Sequence, residues 1–210
     1  MIKILIADDH AVVREGLKQI IAESPDMVVA GEASDGREVL EKVLKDDYDV
    51  VVLDITMPGI NGLDVLKQLK ILRPDIHVLV LSMHPEDQYA VRVLKAGASG
   101  YLSKESAPDE LITSLRKVST GRKYVSSSLA EKLAFDLETD HEKPLHETLS
   151  DREYQVLGMI ASGKTVKGIA EELCLSEKTI STYRSRVLEK MNMENNVELT
   201  HYAIKHGLVT

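Results

Sequence analysis

The sequence predicts an α/β domain built on a doubly wound, five-stranded parallel sheet, followed by a small all-α domain of four helices. Three observations carry that expectation. Within the first 120 residues, five short β-branched and aliphatic runs alternate with amphipathic segments. From Leu149 onward only the helical period remains. Charge divides the chain in the same way: residues 1–120 have a net charge of −6, residues 121–147 of −2 and residues 148–210 of zero, within a total of −8. An acidic front and a neutral back place any polyanionic partner on the second module.

The strands are expected at Lys3–Ala7, Val28–Glu32, Val50–Leu53, Ile76–Ser82 and Gly100–Leu102. They read as apolar throughout, as in a sheet covered by helices on both faces. The intervening helices show apolar stripes at i, i+3, i+4 and i+7. These are Val13, Leu17, Ile20 and Ile21; Val39, Leu40, Val43 and Leu44; Leu63, Leu66, Leu69 and Leu72; Val91 and Leu94; and Leu111, Ile112, Leu115 and Val118. Pro25, Pro58, Pro74, Pro85 and Pro108 fall between elements or at their starts, where proline is tolerated.

Composition excludes several classes. With 43% hydrophobic and 29% charged residues over 210 positions, the chain suits a globular protein rather than a collagen-like or disordered one. No apolar run approaches the ~18–20 residues of a membrane span. Met1–Ala7 leads directly into Asp8-Asp9, unlike the core of a signal peptide. The single cysteine, Cys174, excludes a disulfide framework and a multi-cysteine zinc site. Lying in a turn between two helices, it is expected as a small buried residue. The expectation is a cytoplasmic protein with no membrane partner.

In a doubly wound sheet the working site lies beyond the carboxyl ends of the strands. This sequence places Asp8-Asp9 after strand one, Asp54 after strand three, Ser82 after strand four and Lys104 after strand five. Each feature alone is common on solvated loops; their joint occurrence on one rim points to chemistry. Crowded carboxylates need a counter-charge. A hard divalent cation bound by oxygen ligands supplies one, and Mg²⁺ binds through one or two carboxylates together with phosphate oxygens and water. With an added ammonium and hydroxyl, the group suits a phosphoryl carried on one carboxylate. A phosphatase with an Asp nucleophile would want a second carboxylate two residues on, where Thr56 stands. A flavin site would want a Ser/Thr/Gly-rich loop where Asp8-Asp9-His10 is anionic.

Asp8-Asp9-His10, Asp54-x-x-Met57-Pro58-x-x-x-Gly62, Ser82 and Tyr101-x-x-Lys104 resemble the receiver domain of two-component response regulators, a flavodoxin-like fold, over residues 1–120. The resemblance implies that Asp54 accepts a phosphoryl group from a sensor histidine kinase. It implies that Asp9, Asp54 and the backbone carbonyl of Thr56 ligate Mg²⁺, with Asp8 acting through water. Ser82 and Lys104 would bind the phosphoryl oxygens. Tyr101 would be the switch residue, turning toward the core as Ser82 shifts. Met83 stands where many receivers carry a small residue and is expected to narrow access. Such a domain promotes its own phosphoryl transfer and dephosphorylation and is not otherwise expected to be an enzyme.

Residues 121–147 read as a linker, with Ser126-Ser127-Ser128 capping a short helix over Leu129–Leu137 and a polar stretch from Glu138 to Pro144. The last module, residues 148–210, opens with the capping box Ser150-x-x-Glu153 on a helix ended by Gly163. A short second helix carries Val166, Ile169, Ala170 and Leu173. Ser176 caps a third, to about Met191, and a fourth runs from about Asn195 to His206 and stops at Gly207. The second and third helices, joined by Cys174-Leu175-Ser176, read as a helix-turn-helix. On a 100° wheel the third helix sets Lys178, Thr182, Ser185 and Glu189 against its apolar stripe, with Ser181 and Arg186 at the edges. Arg184 sits nearer the apolar side and is expected to reach outward toward a phosphate. Four of the module's eight cations (Lys178, Arg184, Arg186 and Lys190) lie on this helix, and that concentration is the DNA signal.

Leu149-Ser150-x-Arg152-Glu153, Val156-Leu157-x-x-Ile160-Ala161-x-Gly163, Ile169-Ala170-x-x-Leu173 and Leu175-Ser176-x-x-Thr179-Ile180-Ser181-Thr182-Tyr183 resemble the LuxR-type output domain. With the receiver, the chain resembles a NarL/FixJ-family transcriptional regulator and leans toward the GacA/UvrY-like branch. It departs from the family at Ser181, where many members have Lys, and at Thr165-Val166-Lys167-Gly168, which lacks the usual Glu. The resemblance implies double-stranded DNA as partner, met by Lys167, Lys178, Ser181, Thr182, Arg184, Ser185 and Arg186, and a homodimer when phosphorylated. The fourth helix would pair output domains, which leaves Val197, Tyr202 and Ile204 open to either interface or core.

Overall fold

The computed structural model describes residues 1–57, 59–83, 86–127, 129–131 and 144–209, with the backbone alone at 87 and 88. It divides into two compact units, residues 1–138 and 139–210. Residues 129–131, at the start of the helix expected over 129–137, are helical; the rest of that helix and most of the polar stretch after it lie outside the described residues.

The first unit runs β1 (Ile2–Ala7), α1 (Ala11–Ala22), β2 (Met27–Ala33), α2 (Gly36–Lys45), β3 (Val50–Asp54), α3 (Gly62–Leu72), β4 (His77–Ser82), α4 (Glu86–Lys95), β5 (Gly100–Ser103) and α5 (Ala107–Ser119). All pairings are parallel, in the order β2-β1-β3-β4-β5, so the sheet is doubly wound as expected. Alternation sorts its faces. Ile4, Ile6, Val50, Val52, Leu79 and Leu81 pack with Leu17 and Ile21 of α1 and Leu111, Leu115 and Val118 of α5. Leu5, Val51, Leu53, Val78 and Val80 are buried on the other side of the pleat. Edge strand β2 departs from the all-apolar expectation, because its outer positions meet solvent and Glu32 is only partly covered.

Three helices correct the stripes read from sequence. In α4 the buried residues are Tyr89, Ala90 and Val93, whereas Val91 and Leu94 are half-buried. In α2 and α3, Leu44 and Leu72 lie in the last turn and are exposed; Val65 is buried instead.

The second unit starts with a 3₁₀ turn at Leu145–Thr148 and continues α6 (Asp151–Ala161), α7 (Val166–Glu172), α8 (Glu177–Met191) and α9 (Asn196–Lys205). Each helix is capped by a side chain: Ser150, Thr165, Ser176 and Asn195 accept from the amides of Glu153, Gly168, Thr179 and Glu198. Helix α6 packs on both α8 and α9, and α7 packs on α8. Cys174 is exposed, not buried. Its φ of +52° puts it in the left-handed region at the end of α7, where the Leu175 amide bonds back to the Ala170 carbonyl at 2.9 Å. Such a turn points the side chain outward.

Candidate functional site

Register brings the strand-end residues together. Ala7 pairs with Leu53, so Asp8 follows β1 beside Asp54 at the end of β3. Asp54 pairs with Leu81, placing Ser82 one step beyond. Ser82 pairs with Ser103, and the next amide, of Lys104, donates to the Ser82 carbonyl at 2.8 Å. Four residues spread over nearly a hundred positions therefore meet on one rim by backbone pairing alone.

Asp8 and Asp54 are fully buried. The Lys104 ammonium, 9% exposed, lies 2.6 Å from Asp8 Oδ2 and 2.8 Å from Asp54 Oδ2. Burial alone pushes the Lys104 pKa down, but the charge of Asp54, with help from Asp8, outweighs it and holds the ammonium above its usual range. Asp54 Oδ1 accepts from the Thr56 amide at 2.8 Å and the Thr56 hydroxyl at 2.7 Å. A carboxylate has about four lone-pair sites, so one remains, on Oδ2. Asp8 Oδ2 has its ion pair with Lys104 but no directed hydrogen bond among the described residues.

The loop after β3 depends on Gly62. A Cβ there would lie 2.4 Å from the Ile55 Cα and 2.7 Å from the Asp54 carbonyl oxygen, so only glycine lets the start of α3 close against the acceptor residue. Asn61, buried, caps that helix by accepting from the Leu63 amide at 3.0 Å.

Asp8, Asp9, His10 and Asp54 each offer a ligand atom, all within 4.8 Å of one another. His10 was not among the expected ligands. Its Nδ1 lies 2.9 Å from Asp9 Oδ1 and 3.3 Å from Asp8 Oδ1. Three carboxylates beside a buried, incompletely bonded Asp8 oxygen fit a hard divalent cation. Arg14 also escaped the sequence reading. Its Nη1 donates to the Asp8 carbonyl at 2.7 Å and its Nε to Glu32 at 3.1 Å, so it clamps the turn that presents both acidic residues. The available signal was a cation one turn into α1, opposite an acid in β2. Ser82 and Tyr101 are fully buried. Met83 is 65% exposed.

In the second unit, Ile180, Val187 and Met191 bury one side of α8, while Lys178, Ser181, Thr182, Ser185 and Arg186 are exposed on the other. The Thr182 and Ser185 hydroxyls donate to the carbonyls of Lys178 and Ser181, which leaves their lone pairs facing solvent. Two of the four cations are engaged within the unit. Arg184 Nε donates to Asn196 Oδ1 at 2.6 Å, and Lys190 meets the buried Glu153 carboxylate at 2.6 Å. Lys167 is exposed on α7, 4.0 Å from Glu171. Among the described residues, Lys178 and Arg186 form no ion pair. Val197 and Ile204 are exposed on α9, so neither belongs to the core. Tyr202 is half-buried, with its hydroxyl 3.0 Å from His146 Nδ1 and its ring stacked on His206.

An acidic rim with one buried lysine, followed by a capped helix-turn-helix, is matched by two families. The response regulator receiver domain matches residues 4–116, and the luxR family of bacterial regulatory proteins matches residues 147–203. The chain belongs to the two-component response regulators. It is 39% identical to the response regulator UvrY of Escherichia coli K12 over 209 residues, covering 99% of this chain and 96% of that one. It is 38% identical to the response regulator GacA of Pseudomonas aeruginosa over 211 residues, covering 100% and 98%. Among solved structures, RcsB from Salmonella enterica serovar Typhimurium, bound to promoter rprA with the phosphomimetic BeF₃⁻, is similar at a TM-score of 0.67 and 28% identity, covering 96% and 98%. A structure of two RcsB dimers on two parallel DNAs is similar at 0.60 and 29%, covering 96% of each chain. As a response regulator with a LuxR-type DNA-binding domain, the protein regulates transcription. No helix among the described residues is long and apolar enough to cross a membrane.

Proposed function

We propose that a sensor histidine kinase phosphorylates Asp54 with Mg²⁺, and that this promotes dimerisation and sequence-specific binding to double-stranded DNA in the cytoplasm. The observation that carries the reading is the Lys104 ammonium seated between the buried carboxylates of Asp8 and Asp54. An Asp54 oxygen forms a bond to phosphorus while the bond to the donor histidine nitrogen breaks, and that nitrogen keeps the electron pair. Lys104 neutralises charge on the phosphoryl oxygens, and Ser82 donates to one of them. Asp9, Asp54 and the Thr56 carbonyl would hold Mg²⁺, with Asp8 acting through water; bound there, the ion shares the charge of the transferring group. The chain promotes its own phosphoryl transfer from that donor and its own dephosphorylation, and is not otherwise an enzyme.

The product adds charge and acceptor oxygens at the rim. Ser82 moves toward them, and the Tyr101 ring turns toward the core into the space it leaves. Raising an active fraction from about 1% to about 99% requires about 5.5 kcal/mol of differential stabilisation, more than one hydroxyl contact supplies. Contacts between two chains provide the remainder. Pairing also places two α8 helices on two half-sites, where effective concentration multiplies affinity. Lys178, Arg186 and Lys167 meet phosphates; Ser181, Thr182 and Ser185 face base edges; Arg184, with its Nε on Asn196, turns its Nη groups toward a phosphate.

Sedimentation and gel-shift titrations with and without beryllofluoride and Mg²⁺ test the reading. The expected result is a concentration-dependent dimer and tighter DNA binding with the mimic. A chain that stays monomeric in both states yet binds DNA more tightly would overturn dimerisation; one that never responds would overturn activation by phosphorylation of Asp54.

A further inference from the structure

The donors on the acidic rim do not use its oxygens evenly. Lys104 takes the Oδ2 atoms of Asp8 and Asp54, and the Thr56 amide and hydroxyl take Asp54 Oδ1. Among the described residues, Asp8 Oδ1 and Asp9 Oδ1 meet neither donor, and a single side chain faces both. His10 Nδ1 lies 3.3 Å from the first and 2.9 Å from the second. The backbone that carries this ring is held on three sides. The His10 amide donates to Asp8 Oδ1 at 2.8 Å, its carbonyl accepts from the Val13 and Arg14 amides, and the Arg14 guanidinium holds the Asp8 carbonyl. His10 is also the residue that caps α1, a place where Ser, Thr, Asn and Asp are favoured because they bond to the first helical amides. Its side chain makes no such bond. The ring is turned to the carboxylates instead, and at 65% exposure it is open to an ion arriving from solvent.

An ion bound to both oxygens meets that ring, so Nδ1 either ligates it or swings away. Two ligands about 2.1 Å from one ion stand about 3.0–3.4 Å apart at right-angle or tetrahedral positions. The separations of His10 Nδ1 from the two carboxylates lie at that spacing. The choice between ligation and displacement depends on the ion. Mg²⁺ takes oxygen ligands and keeps several waters, whereas imidazole suits the borderline first-row dications, Zn²⁺ among them. We propose that His10 is a ligand for a dication of the Zn²⁺ class: with Asp8 and Asp9 it makes the rim a mixed nitrogen and oxygen site that favours such an ion over Mg²⁺, which binds with the ring displaced. The inference rests on the cation site of the receiver reading above and names the residue that selects the ion there.

Nuclear magnetic resonance on the full chain tests it, with Zn²⁺ alone and Mg²⁺ alone as probes. Titrations read at the Asp9 and Thr56 amides give the affinity at this rim, apart from any ion that Cys174 or the other histidines take. The native chain should bind Zn²⁺ more tightly than Mg²⁺, and His10 Nδ1 should show the large shift of a metal-bound nitrogen with Zn²⁺ but not with Mg²⁺. His10→Ala should lower the ratio of Zn²⁺ to Mg²⁺ affinity by about tenfold or more, since even the partners that only orient a ligand are worth that much. His10→Asn, which can cap α1 but has no ring nitrogen, should lower the ratio as far. An unchanged ratio, a ring nitrogen that ignores Zn²⁺, or a ratio restored by His10→Asn would overturn the role of His10 and leave the Mg²⁺ reading standing. A native chain whose rim binds neither ion would overturn the cation site itself, and the proposal with it.

Discussion

The acidic rim and the exposed face of α8 use charge in opposite ways. On the rim, Asp8 and Asp54 are buried and Lys104 sits between them within 2.8 Å, so part of the charge is offset before any ligand arrives and the excess of carboxylate is left for a cation. On α8, Lys178 and Arg186 are left in solvent, while Lys190 is spent on Glu153 and Arg184 gives its Nε proton to Asn196. Bond-making at phosphorus rewards groups fixed in advance in a dry site, where each is worth more than in water. Recognition of a polyanion rewards cations that exchange water and counterions for phosphates when DNA arrives. The same residue types are therefore preorganised in one unit and held in reserve in the other.

The largest effect that tests this contrast is at the acceptor. Asp54→Asn removes the nucleophile and abolishes labelling by acetyl phosphate with Mg²⁺; intact mass spectrometry reads it, and a mutant that still gains a phosphoryl mass sinks the assignment. Lys104→Met comes next. It leaves two buried carboxylates without their counter-charge, which destabilises the first unit by about 3–5 kcal/mol. Added Mg²⁺ should restore part of that loss in thermal melts, because a cation among Asp8, Asp9 and Asp54 replaces the missing charge. A melt that ignores Mg²⁺ would show that the cation binds elsewhere.

The rim was readable in the sequence because parallel strands in this order bring strand ends together whatever the side chains do; only the identities of Asp8, Asp54, Ser82 and Lys104 had to be noticed. What escaped were contacts between elements distant in sequence. Arg14 with Glu32, Lys190 with Glu153 and Arg184 with Asn196 each join two elements whose facing sides no single-helix wheel reveals. In α4, an apolar set of Tyr89, Ala90, Val91, Val93 and Leu94 fits more than one stripe, and packing on the sheet selects Val93. Cys174 was misplaced for a backbone reason: residue type suggested burial, but the left-handed turn turned it outward.

Among the cations of α8 the contrast becomes a sorting experiment. Lys178→Ala should weaken binding to all DNA sequences alike and reduce the salt slope by about one unit. Lys190→Ala should leave the slope unchanged and lower the melting temperature of the second unit, since Glu153 is its partner. If Lys190→Ala changes the salt slope as Lys178→Ala does, the Glu153 pair opens on DNA and the division between reserved and spent cations fails.

The smallest effect is the pH dependence of that pair. Glu153 is buried at the start of α6, and its carboxylate accepts from the Ser150 amide at 2.8 Å as well as from Lys190. Burial pushes its pKa up, but Lys190 and the Ser150 hydrogen bonds outweigh burial and hold it below the usual glutamate range. A carboxyl depressed on folding adds stability above its unfolded pKa of about 4.3, and that stability is lost as pH falls through the lower folded value. With Lys190 partly exposed, the pair contributes about 1 kcal/mol after screening. Melts of the native chain should therefore lose stability between roughly pH 5 and the folded pKa more steeply than melts of Glu153→Gln, which has no proton to gain there. Glu153→Gln should also start lower at neutral pH, so the two curves converge in acid. Parallel curves would mean that the carboxylate gains nothing from its partners, and that the capping box alone, without Lys190, sets the start of α6.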